Sequence, residues 1–333
     1  MNNTNEKPYE KFGTGLVIVK SKDSNFNSDF TGTPRRLPDE EGTIYATDKA
    51  LKYTIRKHLK DTDEKVFGWR RKLKEDKNKR KKGDPLKIEE NYKRLFEQED
   101  SGLPDRTEIL ENLLKCTDVR LFGVTFAPGE DGKNVSITGP IQISYGMNKF
   151  EENLHYSNQI LSPYQPKGSG STTIGEEAKA LESHYVYDFT VNPNHIKEAL
   201  EHIESKDDFQ LLSKDDIESF KEAARKGATG IDSTTMVGTE NELLLYAESQ
   251  KPINLQNLKQ FVNIDKSEES DKTKIKMGTL INYLHEMLPQ DRDNSVEIYY
   301  DPYKTEVQGI PESNKKEGIS ITEYNIITGS ELE

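Results

Sequence analysis

Apolar and polar positions change places along this chain in short blocks. Residues 13–20 (GTGLVIVK) form a glycine-opened, β-branched run, the pattern of a short buried strand. Residues 22–33 are turn formers and predict a polar loop. From Thr47 the period changes. Leu51, Ile55 and Leu59 recur at i, i+4 and i+8, which predicts an amphipathic helix with Thr47 as N-cap and Asp48 in its first turn. Lys49, Lys52, Arg56 and Lys60 fall on another face of that helix. Helical periods return over 88–99 and over 107–114, the latter with Thr107 as N-cap. Alternation over 119–124 sets Val119, Leu121 and Gly123 against Arg120, Phe122 and Val124. Over 137–145 it sets Ile137, Ile141, Ile143 and Tyr145 against Thr138, Gln142 and Ser144. Both stretches predict strands, joined by the turn-rich, acidic loop 127–134.

The second half continues in the same manner. A strand is predicted over 184–190, a helix over 194–205, and a central strand over 241–247. Ser213 and Asp216 make a capping-box start for a helix that runs to Lys226. A helix over 278–288 and an edge strand over 295–300 follow, with the charged stretch 265–274 as a loop. Strand, helix, strand pair, helix, strand is the order of a ferredoxin-like or RRM-like palm, an α+β fold with helices on one face of an antiparallel sheet. Residues 61–106 interrupt this order as an insertion, and so do residues 161–182, whose centre is rich in Gly, Ser and Pro. Residues 250–333 read as an elaboration of one domain spanning 1–333.

Apolar and charged residues each make up 32% of the chain, and mean hydropathy is -0.87. These values predict a modest core with polar insertions ordered by a partner. No apolar run of membrane-spanning length exists and the N-terminus lacks an apolar segment, so a cytoplasmic location without membrane attachment is expected. One cysteine, Cys116, excludes an internal disulfide and a cysteine-rich zinc site, and reads as a small residue before a strand. A net charge of -12 argues against a nucleic-acid binder unless cations are gathered locally. Residues 70–82 gather them, and screening confines their field to roughly 10 Å.

Lys49, Lys52 and Arg56 either neutralise successive phosphates or form a solvated helix face. The Arg35–Arg36 pair has the same two readings. Arg70, Arg71, Lys72, Lys79 and Arg80 belong to the basic run, and neighbouring Trp69 either stacks on a base or anchors the insertion. Gln142 and Ser144 lead to Asn148 and Lys149 on an exposed sheet face, where RRM relatives set nucleotides, although the aromatic RRM signature is absent. There is no Walker loop, HExxH or GxSxG, and the six histidines show no metal spacing. No catalytic residue, metal or cofactor is therefore expected. Asp23 and Asp118 are the carboxylates best placed to hold Mg²⁺ at a phosphodiester, with a salt bridge as the alternative for Asp118.

Two segments are specific: DVRLFG at 118–123 and TGPIQISYG at 138–146. With them, the chain resembles the backbone subunits of type I CRISPR effector complexes, in their I-B or DevR-like branch of the RAMP superfamily. Weaker matches accompany them. An Asn-bearing loop stands at 24–27, with Phe26 and Ser28 in place of the usual proline and glycine. Others are YATDKALKYTIRKHL at 45–59, LSKDDI at 212–217 and STTMVGTENELL at 233–244. The resemblance implies a hand-like RRM palm with residues 61–106 as finger and 161–182 as thumb. It implies that several copies polymerise along a CRISPR guide RNA through phosphate contacts and present it for pairing with target DNA. Implied partners are the large subunit, the guide-handle-binding subunit and a recruited helicase-nuclease. Implied RNA contacts are Asn25, Asn27, Arg35, Arg36, Lys49, Lys52, Arg56, Gln142, Ser144, Asn148, Lys149, Lys167 and Ser169, with Trp69, Arg70, Arg71, Lys72, Lys79 and Arg80 in the finger. Two alternatives stay open: a type III-like subunit that cuts RNA with a loop aspartate, and a structural protein that binds no RNA.

Overall fold

The computed structural model describes residues 8–75, 80–98, 102–161, 174–201, 209–268, 270–289, 294–311, 315–316 and 319–332. Among them the fold is mixed α+β, with seven α-helices and a large, mostly antiparallel sheet. The chain divides into two compact units. The first holds residues 1–12, 55–142 and 190–223, and the second holds 13–54, 143–189 and 224–333.

The large sheet belongs to the second unit. Its strands lie in the order Lys315–Lys316, Ile319–Asn325, Asn294–Tyr300, Thr239–Ser249, Phe12–Ser24, Ile174–Val191, Gly146–Asn148 and Tyr45–Ala46, and His155–Leu161 pairs with Ile174–Val191 as a ribbon. Phe12–Ser24 is central because residues 13–19 are buried on both faces, as their unbroken apolar run requires. Gly15 is obligatory there: a Cβ would fall 2.0 Å from the Leu245 carbonyl oxygen and 2.5 Å from the Phe189 ring. Leu16, Ile18, Leu243, Leu245, Val296, Ile298 and Ile321 form one core with Leu280, Ile281 and Leu284 of helix Gly278–Met287. Each such side chain contributes roughly 1.5–3 kcal/mol on burial.

Several expectations change here. The strand predicted at an edge, Asn294–Tyr300, is interior, because Ile319–Asn325 pairs with it in parallel. That last strand alternates, with Ile319 and Ile321 buried and Ser320 exposed. The charged stretch 265–274, expected as a loop, carries strand at both of its ends, where Asn263–Lys266 pairs with Thr273–Lys276. The first strand runs on to Ser24, into the predicted loop, and the strand expected over 184–190 is the 18-residue Ile174–Val191.

In the first unit the strand expected over 119–124 is replaced by helix Thr117–Phe122, and the strand begins only at Gly123. Cys116 precedes a helix and not a strand. Every residue from 116 to 123 is buried, so the segment has no polar face and neither period could identify it. Gly123, at φ 72°, ends the helix. Strand Gly123–Phe126 then pairs with Val135–Thr138 across the expected turn-rich loop. Gly139 and Pro140 break the strand predicted over 137–145 into Val135–Thr138 and Ile141–Ile143. The helix expected over 88–99 is Ile88–Leu95 and that expected over 194–205 includes Asn194–Ala199, with residues 99 and 202–205 outside the described residues. The N-cap of Arg106–Leu114 is Asp105, which accepts from the Glu108 amide; Thr107 lies inside the helix.

Candidate nucleic-acid interface

The two specific segments build a scaffold in the first unit. Asp118 Oδ1 accepts from the Phe67 amide at 2.7 Å, and Oδ2 accepts from the Gly68 amide at 2.9 Å and from Arg56 Nε at 2.8 Å. Three donors occupy this carboxylate, so its reading as a salt bridge prevails over that of a metal ligand. Arg120 donates Nε and Nη2 to Asp216 at 2.9 and 2.7 Å, and Nη1 to the Leu114 carbonyl at 2.8 Å. Asp216 in turn accepts from the amide and hydroxyl of Ser213, while the Ser213 hydroxyl accepts from the Asp216 amide. The expected capping box is therefore present, and its acid also neutralises a buried guanidinium. Glycines 123 and 139 allow close contact: a Cβ on Gly139 would lie 2.0 Å from the Phe122 carbonyl carbon.

Most basic side chains of the finger candidate have internal partners. Arg71 donates to Asn91 Oδ1 and to the Val66 carbonyl, both at 2.9 Å. Arg80 donates to both carboxylate oxygens of Glu90 at 2.9 and 2.7 Å. Trp69 is half-buried with the Lys60 ammonium 5.7 Å above its ring. Arg70 and Lys72 are exposed, and Lys79 lies outside the described residues. Gln142 is exposed and donates to the Gly139 carbonyl at 2.8 Å.

In the second unit, hydrogen bonds join the loop after the first strand to the start of helix Asp48–Asp61. Asn27 Oδ1 accepts from the Thr47 amide at 2.9 Å and from its hydroxyl at 3.2 Å. Thr47 Oγ1 accepts from the Ala50 amide, as an N-cap does, and Asp48 stands in the first turn. Leu51, Ile55 and Leu59 are all buried, as their spacing predicts. Asn25 is buried, with Nδ2 donating to the Gly32 and Ala178 carbonyls. At the tip, the Thr31 hydroxyl above all, with Thr33, holds the Asp29 carboxyl down to about 2, and Phe30 is 98% exposed. Arg36 donates to the carbonyls of Gly42 and Asn153 at 2.7 and 2.6 Å. Lys49 is exposed, whereas Lys52 pairs with Asp48 at 3.4 Å.

Asn148 is a buried junction: its amide group donates to Phe150, Glu152 and Asn153, and its Oδ1 accepts from the Phe150 and His184 amides. Ser144 donates to Asp188 and meets the Lys259 ammonium at 3.0 Å. Lys149 is half-buried. Lys167 and Ser169 lie outside the described residues. Thus Asn25 and Asn148 act inward, while Asn27 joins the loop to the helix. Sequence reading missed Asn153 and Lys259, for neither sits in a period or motif. Among the described residues, no group of acids, histidines and cysteine could hold a metal ion, and no helix is long and apolar enough to cross a membrane.

A family model described as CRISPR-associated protein Cas7 matches residues 12–280. The chain belongs to the Cas7 family. The matched span runs from the first strand into helix Gly278–Met287, and takes in both scaffold motifs and the loop at 25–36. No curated protein matches this Cas7-family chain. A chain of a solved structure titled "CRISPR RNA-guided surveillance complex, pre-nicking" is 13% identical, with a TM-score of 0.52 over 94% of this chain and 96% of that one. At that identity the likeness is one of fold. Another, from a "CRISPR RNA-guided surveillance complex", is 14% identical, with a TM-score of 0.45 over 92% and 95%.

Proposed function

We propose that this chain is a non-catalytic backbone subunit of a cytoplasmic CRISPR RNA-guided surveillance complex. Several copies coat one guide RNA and hold it for pairing with target DNA. The Cas7 family match over residues 12–280 carries this reading. Strand order supports an RRM-like palm. Counted along the chain, Phe12–Ser24, Gly146–Asn148, Ile174–Val191 and Thr239–Ser249 lie side by side in the order 4-1-3-2. Helices Asp48–Asp61 and Lys214–Lys226 fall between the first and second and between the third and fourth, as a β-α-β-β-α-β chain requires. Residues 61–106 are the finger and 161–182 the thumb, the latter supported by the ribbon of His155–Leu161 with Ile174–Val191. Residues 250–333 elaborate the palm.

In this reading Asn27, Arg35, Lys49 and Lys149 face the guide phosphates, with Arg70 and Lys72 in the finger. Target DNA, further copies, the large and handle-binding subunits and the helicase-nuclease complete the assembly. The absence of cleavage is supported by Asp118, whose oxygens are occupied, and by Asp23, an exposed carboxylate whose partner is the Tyr156 hydroxyl at 3.2 Å.

The test is purification of the tagged chain from cells that carry its CRISPR array, followed by extraction of nucleic acid. Uniform-length guide RNA is expected, with no cutting of complementary RNA in Mg²⁺. Protein free of RNA would sink the reading. Regularly spaced cleavage lost in Asp23→Ala would replace it with a type III-like nuclease.

A further inference from the structure

A buried charge cluster lies in the second unit, beside the Asn148 junction. His184 is fully buried, and both of its ring nitrogens face carboxylates: Nδ1 meets Glu242 at 2.5 Å and Nε2 meets Glu182 at 3.3 Å. Ionised carboxylates only accept hydrogen bonds, so both nitrogens must carry protons and the ring is an imidazolium. Lys20, from the first strand, lies 3.3 Å from Glu182 and donates to the Thr273 hydroxyl at 3.0 Å. Lys22 and Lys266 stand at the rim, 3.7 and 3.9 Å from Glu182, and are mostly exposed. Phe150 covers the ring at 4.8 Å. The buried charges, Lys20 and His184 against Glu182 and Glu242, balance only while His184 is protonated. Burial alone would lower the His184 pKa, but the two carboxylates outweigh it and raise it; His184 in turn draws Glu182 down to about 2.

The same residue holds the candidate interface. The His184 amide donates to Asn148 Oδ1 at 2.8 Å, and the Lys149 amide donates to the His184 carbonyl at 3.1 Å. Asn148 donates to Asn153 Oδ1, which also accepts from the Ile44 amide, and Arg36 donates to the Asn153 carbonyl. From the backbone of His184, whose ring sits in the charge cluster, hydrogen bonds therefore run to strand Gly146–Asn148 and to the segment before helix Asp48–Asp61.

We propose that the His184 imidazolium is a positioning group for the RNA-binding surface, which is set by charge balance in the cluster and released when the ring loses its proton. This rests on the guide-RNA reading above. A group whose pKa is raised on folding contributes fully below its ordinary value near 6.5 and is lost as pH climbs through the folded value. Binding should therefore be full below about 6.5 and weaken as pH rises through the folded value. Glu242→Gln separates this from general alkaline effects. With one carboxylate gone, Lys20 balances Glu182 and a neutral imidazole suffices, so the alkaline loss should vanish. Glu182→Gln makes the same change from the other side and serves if the first variant does not fold.

The experiment measures anisotropy of a labelled single-stranded RNA of guide length from pH 6.5 to 10 at constant ionic strength. Amide-exchange protection of Ile44, Lys149 and Phe150 is followed in parallel, without RNA. Wild type should lose about tenfold in affinity, in the usual range of site coupling, and lose protection at those amides, while the Gln variant loses neither. Equal alkaline loss in wild type and variant, or none in wild type, overturns the proposal. No RNA binding by wild type at any pH overturns the functional reading instead, and amide exchange then still decides whether His184 sets the surface.

Discussion

The ion pair between Arg120 and Asp216 offers the sharpest energetic test of the scaffold. Their side chains are only 5% and 4% exposed, and Asp216 also accepts both Ser213 donors. Asp216→Ala would leave a buried guanidinium with no counter-charge, which costs about 3–5 kcal/mol. The Ser213 hydroxyl still caps the Asp216 amide, but its own bonds to the carboxylate are lost, which adds about 1 kcal/mol, for a total of about 4–6 kcal/mol. A domain has only about 5–15 kcal/mol to lose, so the first unit should be close to unfolding. Asp216→Asn keeps an acceptor for Ser213 and isolates the charge, with about 3–5 kcal/mol expected. The assay is urea denaturation followed by fluorescence of Trp69, the single tryptophan, which lies in that unit. The double variant Arg120→Met with Asp216→Leu removes both charges and should be more stable than Asp216→Asn alone. A loss under about 1 kcal/mol for Asp216→Asn, or a double variant no more stable than Asp216→Asn, would refute the claim that Asp216 neutralises a buried guanidinium.

Gly139→Ala forces a Cβ to 2.0 Å from backbone at Phe122 and should destabilise by about 3 kcal/mol or more in a thermal melt; an unchanged Tm would mean the glycine contact is not tight. Lys49→Glu with Lys149→Glu should weaken RNA binding about tenfold or more at low salt without shifting Tm, since each removes and reverses one cation at the proposed phosphate surface. Arg56→Glu should instead lower Tm, because it sets a carboxylate against buried Asp118. Cys116 is buried, with its thiol pushed up to about 12 mainly by burial, so iodoacetamide at pH 8 should leave it unmodified until urea unfolds the chain. Labelling of the native protein at the unfolded rate would disprove that.

What could be read from sequence was what has a local signal. Helix Asp48–Asp61 has a cap, an acidic first turn and a buried stripe, and all three are seen. The Ser213 and Asp216 box is likewise local and present. Thr117–Phe122 was lost because burial on every side erases the period, leaving Gly123 as its single terminator. Strand Asn294–Tyr300 reads as an edge strand in sequence, and only its parallel pairing with the distant Ile319–Asn325 makes it interior. For the site, residue type suggested contact where position dictates otherwise. Asn25 and Asn148 stand in or beside matched segments and Arg71 and Arg80 in the basic run, yet each has internal partners that only the fold brings to it.

That distinction bears on the net charge of -12 in a chain proposed to bind RNA. Sequence counts cations, whereas a phosphate meets only those left over from internal pairing. Arg56, Arg80 and Arg120 each have a carboxylate within 3 Å, and Lys52 has one at 3.4 Å. These pairs fix the scaffold and add little to the outward field, because opposite charges so close cancel beyond roughly 10 Å. In the proposed reading, the cations of the second unit that would meet phosphate include exposed Lys49 and half-buried Lys149. DVRLFG, buried at every position, is frame, whereas TGPIQISYG leaves Thr138, Gln142 and Tyr145 exposed.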